Sequence, residues 1–485
     1  MSSDVIARPW PKSGDGEAVR RLALFLSPAL ILTVSAGVIF AIRENDWRAA
    51  LAIPAVCIPF YLAIVLWRRQ QLPALVFTWT FGLYVLIAAV TQAVNPLYGV
   101  RFSTPDSNVF LAAARGDYGE IGFELVHLTK GVGSLDTTLT SVIYQHVLQI
   151  LYVFDPRFFD WPLFTVNAVL AAAVVMMTTN LARVVFSNAP APVHAATLLS
   201  ALCPQYMYYS AELLRDGLAA LLTVVMLYAA AVAVRDPRPS RLLGGLIVIA
   251  AASTLMLFVR TQFVFLGLVV VGGFGIASFV FARRTKARTI ALATAVLIVG
   301  VIGYAVLPTI MDTLDVATRF LKFYSAVSDA TGGLGLLIVH LPLPARIPVG
   351  MVYEHIFPVP LWLYFTPDSP PASWLVSLNG IWIVMLVPLA FVGLTTFAGN
   401  KAKATVLRPA IAICAIAYVV NLVVVAATSL EVRHISALYP AFFMLAATPF
   451  AIGPSVATLL RSVSRAWLSL IVLIHVVWAL LKFVF

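Results

Sequence analysis

Apolar residues run in long blocks from residue 22 to the end of the chain, and polar residues gather in the gaps between them. A bilayer core about 30 Å thick takes about 20 apolar residues as a helix. On that criterion thirteen spans are predicted: 22–42, 49–67, 73–95, 160–181, 192–210, 213–234, 242–259, 262–281, 289–309, 374–397, 409–428, 434–453 and 466–484. The expected fold class is an all-α polytopic membrane protein of about 13 transmembrane helices. Its parts follow from the spacing: a tail (1–21), two additional N-terminal spans (22–72), a core module (73–309) with a long loop at 96–159, a second long loop (310–373) and C-terminal helices (374–485).

Composition sharpens this reading. Of the 485 residues, 61% are hydrophobic and 11% charged, against about 45–50% and about 25% in a soluble domain. The mean hydropathy is +0.96. The net charge of +11 does not point to nucleic acid, because the cations lie in short loops between apolar blocks and form no aromatic-interleaved basic patch. With the N-terminus inside, 19 of the 32 Lys and Arg residues fall in inner segments with only four of the 21 acids, as the positive-inside rule requires. The run Ala282–Arg288, carrying Arg283, Arg284, Lys286 and Arg288, is the strongest anchor of that orientation. Cys57, Cys203 and Cys414 lie far apart in apolar runs, so neither a disulfide framework nor a zinc site is indicated. The span at 22–42 has full length and no small-residue cleavage site, and is expected to be a retained helix rather than a cleaved signal.

This orientation puts both long loops outside. The first is predicted to carry a short helix from Pro105 to about Arg115 and an amphipathic stretch from Leu139 to Phe154. The second carries another, from Ala345 to Phe365, which Pro348, Pro358 and Pro360 are expected to break. Stretches of this kind, apolar on one face and tipped with Trp or Tyr, fit helices lying in the interface plane. Long structured loops on one side of a bundle place a site at that boundary.

The polar residues at the outer span ends each read in two ways. In Ser103-Thr104-Pro105-Asp106-Ser107, Thr104 fits a helix N-cap, Pro105 the first helical position and Asp106 an acid offsetting the macrodipole. The sharper reading, which spacing alone favours less, makes Asp106 a general base that takes the proton of an attacking hydroxyl; Asp117, Glu120 and Glu124 compete for that role but read first as solvated loop acids. If Glu212, Arg215 and Asp216 are helical, they share one face, as an ion cluster at a helix end or as the lining of a site. Arg260 and the segment Glu431-Val432-Arg433-His434 lie where spans meet on the outer side. An Arg there clamps a phosphate with two parallel hydrogen bonds or snorkels to headgroups. Arg346, Glu354 and His355 in the second loop are further site-lining candidates. Asn167, Asn379, Asn421 and His475, inside spans, read as interhelical hydrogen-bond partners. No P-loop, GxSxG, HExxH or metal-ligand spacing occurs.

With these residues in view, the chain resembles the polytopic GT-C glycosyltransferases, most of all the bacterial envelope-polysaccharide branch that uses polyprenyl-phosphate sugars. The resemblance rests on Asp106 in Thr-Pro-Asp-Ser-Asn, on two interfacial helices in the first loop, on Ser210-Ala211-Glu212-Leu213-Leu214-Arg215-Asp216 and on Arg433-His434 before Ala437-Leu438-Tyr439-Pro440. It covers residues 73–453. It implies Asp106 as catalytic base and Arg260, Arg433 and His434 as donor-phosphate ligands. The chain departs from the pattern in its two preceding spans and in lacking a recognisable soluble C-terminal domain.

The expected function is therefore transfer of a sugar from a polyprenyl-phosphate donor to an extracytoplasmic glycan or lipid-linked acceptor, with inversion. The implied setting is the bacterial inner membrane, with membrane lipids as partners, no nucleic acid and no cofactor, a divalent metal being left open. The alternative is an O-antigen or exopolysaccharide polymerase or ligase that moves lipid-diphosphate-linked glycans; a transporter fits less well, since paired broken segments are not found. Orientation is testable directly. Single cysteines near Asn188 and Lys401 should be shielded from an impermeant outside thiol reagent in intact cells, while cysteines near Asp136 and Asp329 label. Labelling near Lys401 would reverse the orientation.

Overall fold

In a computed structural model, the described residues are 15–44, 50, 53–54, 57, 72–100, 102–104, 107–108, 110–112, 142–154, 161–236, 238–260, 264–281, 338, 340–399, 408–428 and 432–483. They are 87% helical with no strand, and six of their helices are long and apolar enough to cross a membrane. The helices are α1 (Asp15–Glu44), α2 (Leu72–Val94), α3 (Val142–Phe154), α4 (Trp161–Val185), α5 (Pro190–Ala201), α6 (Pro204–Ala211), α7 (Asp216–Arg235) and α8 (Pro239–Leu257). They continue with α9 (Val264–Phe281), α10 (Leu343–Ile356), α11 (Pro371–Gly399), α12 (Arg408–Thr428), α13 (Val432–Ile435), α14 (Tyr439–Ile452) and α15 (Ala457–Phe483). The expected span at 289–309 and nearly all of that at 49–67 lie outside the described residues.

Helix ends follow local chemistry. Pro96 stops α2, and the chain turns back at Gly99 (φ +70°), whose N–H reaches the Pro96 carbonyl at 3.0 Å. Between α4 and α5, Ser187 and Asn188 take the left-handed conformation, and the Asn188 amide oxygen accepts from Arg183 Nε at 3.2 Å.

Two expectations need correction. The apolar block 192–210 is not one span. It breaks at Leu202–Cys203 into α5 and α6, because Pro204 has no N–H to continue the ladder and its ring crowds the preceding turn. A carbonyl freed there, that of Ala201, accepts from the Tyr84 hydroxyl of α2 at 3.0 Å. In the second loop Pro348 does not break its helix. α10 runs through it, since the carbonyl left without a donor is that of Pro344 in the exposed first turn. The chain leaves α10 only at Phe357, through the cis bonds Phe357–Pro358 and Val359–Pro360.

The core of the bundle is α2, α4, α6, α7, α11, α12 and α14, with α5 against α4 and α14. Small residues set the closest approaches, as in helices packed within lipid. Gly393 of α11 lies so near the Leu445 carbonyl of α14 that a Cβ would overlap it. α15 packs along α11 with most of its surface outward, fixed by Trp467 Nε1 on the Val384 carbonyl (2.9 Å) and by His475 Nε2 accepting from Leu361 N–H (3.1 Å). Gly393→Ala should therefore lower the thermal midpoint in detergent, by the equivalent of about 1–3 kcal/mol for overpacking. Gly272→Ala on α9, whose Cβ would meet nothing within 4 Å, should leave the midpoint unchanged or raise it.

Candidate functional site at one end of the bundle

Charge is treated oppositely at the two ends of the bundle. Where α4 meets α5 and α7 meets α8, the ions face water: the side chains of Arg238, Arg241 and Asp236 are 71%, 60% and 31% exposed. At the other end Glu212, Asp216, Arg260, Arg346, Glu354 and His434 are all buried. Burying an ion costs several kcal/mol after relaxation, so a set found at one end among the described residues marks a built polar layer.

The layer forms where helices stop. α6 ends at Ala211, whose carbonyl accepts from Gln92 Nε2 of α2 at 3.0 Å. Glu212 then turns extended, at φ −121° and ψ 152°. Its carbonyl accepts from Asn167 Nδ2 of α4 at 2.6 Å, and Asn167 Oδ1 accepts from the Tyr144 hydroxyl of α3 at 2.9 Å. Because the chain is extended at Glu212, the common helical face expected for Glu212, Arg215 and Asp216 does not form. Glu212 points to the first long loop, Arg215 is half-buried before α7, and Asp216 opens α7, paired with Arg260 just past the end of α8.

The Glu212 carboxylate meets that loop closely. Oε1 accepts from Ser103 N–H at 2.8 Å and Ser103 Oγ at 2.7 Å, and Oε2 accepts from Ser107 Oγ at 2.7 Å. Ser107 N–H reaches the Thr104 carbonyl at 3.3 Å, the turn expected at a helix start. Burial pushes the Glu212 carboxyl up to about 7, against the pull of the donors on Ser103, Ser107 and Thr104.

Next to it, Asp216 Oδ1 and Arg260 Nη2 form an ion pair of 2.5 Å with both side chains buried. Asp216 Oδ2 and Arg260 Nε have no hydrogen-bond partner among the described residues, leaving one acceptor and one donor inside the layer. Tyr209 lies within electrostatic reach of this pair and bonds Ser436, in the 3-10 turn that follows α13. Beyond it, the Tyr439 hydroxyl accepts from Asn379 Nδ2 at 3.0 Å.

The second loop reaches the same end through α10. His355 Nδ1 lies 2.6 Å from the Met351 carbonyl and must donate to it, so Nε2 accepts from the Tyr418 hydroxyl at 2.7 Å. Burial lowers the His355 pKa, in keeping with a neutral ring. Glu354 lies near enough for its charge to act on Tyr353, Tyr418 and Tyr439.

Of the expected site residues, Glu212, Asp216, Arg260, Arg346, Glu354, His355 and His434 thus lie in or against the layer. Asp106 and the side chain of Arg433 lie outside the described residues. Sequence reasoning assigned no site role to Ser103, Ser107, Tyr209, Tyr418 or Ser436. The serine spacing around Asp106 carried the signal for the first two; for the others only packing does. Among the described residues no three His, Cys, Asp or Glu side chains converge to hold a metal ion. No family model, curated protein or solved structure matches the chain.

The Glu212 environment gives a pH prediction. A carboxyl whose folded pKa is raised binds its proton more tightly in the fold than in the unfolded chain. Its contribution to stability is then largest below the unfolded pKa, declines as pH rises toward about 7 and is level above that. Thermal midpoints in detergent should show this decline in the wild type, and Glu212→Gln should flatten it. Parallel curves for the two proteins would contradict the assignment.

Proposed function

We propose that the chain is a membrane glycosyltransferase that moves a sugar from a polyprenyl-phosphate donor to an extracytoplasmic glycan or lipid-linked acceptor. Its setting is a bacterial plasma membrane, with the site on the outer face. The observation that carries this reading is that, among the described residues, the buried charges gather at one end of the bundle, where both long loops enter. A lipid-linked sugar presents its phosphate at the interface while its tail stays among the helices, so an enzyme using it needs cations and a carboxylate at one membrane boundary.

In this reading the acceptor oxygen attacks the anomeric carbon and gives its proton to the Asp106 carboxylate. The bond from that carbon to the phosphate oxygen breaks, and polyprenyl phosphate leaves with the bond's electron pair. Arg433 and His434 hold the phosphate, and Arg260 adds the Nε–H that Asp216 does not use. Donors placed where charge develops are worth most in a water-poor site.

Two donors separate this function from its rival. Purified protein should add single sugars from a polyprenyl-phosphate monosaccharide, and Asp106→Asn should cut that turnover by about 10²-fold or more without changing the thermal midpoint. A ladder of whole repeats from a polyprenyl-diphosphate oligosaccharide, with no reaction from the first donor, would identify a polymerase. Arg346, Arg433 and His434 would then be the residues to pursue.

A further inference from the structure

The chemistry proposed above gives Glu212 no step, yet its carboxylate is fully buried and takes three hydrogen bonds from one short stretch of the first outer loop. A helix-end acid facing solvent would need no such shell. The shell also closes on itself. Ser107 Oγ donates to Glu212 Oε2 and accepts from Leu213 N–H at 3.1 Å, so one hydroxyl bridges the carboxylate and the backbone of the next residue.

A second hold lies one helical turn further on. Phe110 of the same loop meets the Tyr144 ring edge-on, with centroids 5.0 Å apart. Tyr144 is tied through Asn167 to the Glu212 carbonyl. The start of the loop is thus gripped at Ser103, Ser107 and Phe110, and every grip leads back to residue 212. The two serines bracket Asp106 in sequence, three residues before it and one after.

We propose that Glu212 is a positioning residue: it fixes Ser103 and Ser107, the residues that flank Asp106 in sequence, against the turn leading into α7. The inference rests on the reading of Asp106 as the base, but the hold itself is measurable without turnover. An error of about 1 Å in a reacting group can cost about 10²-fold, so a clamp on both sides of a base matters more for turnover than for binding the donor.

The test uses full-length protein in detergent and three variants. Hydrogen exchange of residues 102–112 reads the clamp, and kcat and KM for the polyprenyl-phosphate monosaccharide read its consequence. Glu212→Ala should speed exchange of that segment by about tenfold or more, lower kcat by about tenfold or more and leave KM little changed. Glu212→Gln should restore most of both, since its carbonyl still accepts from Ser103 and its amide donates to Ser107. If the alanine protein does not fold, the paired change Ser103→Ala with Ser107→Ala removes the same hydroxyls and should give the same two effects.

Wild-type exchange and kcat in Glu212→Ala, or in the serine pair, would overturn the proposal. So would a glutamine variant as inactive as the alanine one with its loop still protected, because Glu212 would then act in the chemistry itself. If the wild type turns over no lipid-linked sugar, the glycosyltransferase reading fails, and the exchange arm alone still decides whether Glu212 holds the loop.

Discussion

Inside an apolar bundle a polar group that loses its helical partner has no water to replace it, and this constraint organises the end of the bundle where Glu212 lies. The chain breaks its helices twice in quick succession, at Leu202–Cys203 and at Glu212–Arg215. Each break frees carbonyls that must be met from elsewhere. Tyr84 and Gln92 of α2 and Asn167 of α4 supply those donors. The side chains that satisfy the breaks also link α2 and α4 to the interrupted segment α5–α6, so the interruptions tie these helices together at that end.

The same constraint explains why the charges there are paired or surrounded. Asp216 and Arg260 neutralise one another between α7 and α8, and Glu212 is enclosed by donors on Ser103 and Ser107. An ion pair in a dry site gives little net stability over an apolar filling. Among the described residues Asp216 Oδ2 and Arg260 Nε have no hydrogen-bond partner, which adds to the cost of burial. Under the proposed function these are the groups that await substrate. The exposed ions at the opposite end, Asp236 with Arg238 and Arg241, need no such arrangement, because water already solvates them.

Residues of the second loop join this layer from the far side. His355 holds the Tyr418 hydroxyl, and the Glu354 charge lies within electrostatic reach of Tyr353, Tyr418 and Tyr439. α10 is thereby joined to the layer, in which the Tyr206 ring packs against both Tyr209 and Tyr439. Aromatic rings suit this position, having an apolar body to bury and a hydroxyl to pair.

Much of this was legible in the residues alone. Hydropathy over a window of about 20 residues is a local quantity, so the all-helical class and the long apolar helices could be read directly. The break before Pro204, the unbroken course of α10 through Pro348 and the short α13 ahead of α14 escaped that reading. Charge bias in short loops is local too, and it predicts an orientation in which the candidate residues share one face. What tertiary structure decided is which polar groups meet. One extended residue sends Glu212 and Asp216 to different partners, where a helical wheel would have put them side by side. Glu212 finds serines more than 100 positions earlier, and Tyr209 finds Ser436 across 227. Partners so distant are chosen by the packing of whole helices. A buried donor or acceptor must pair with whatever that packing brings within about 3 Å, and no local pattern encodes it.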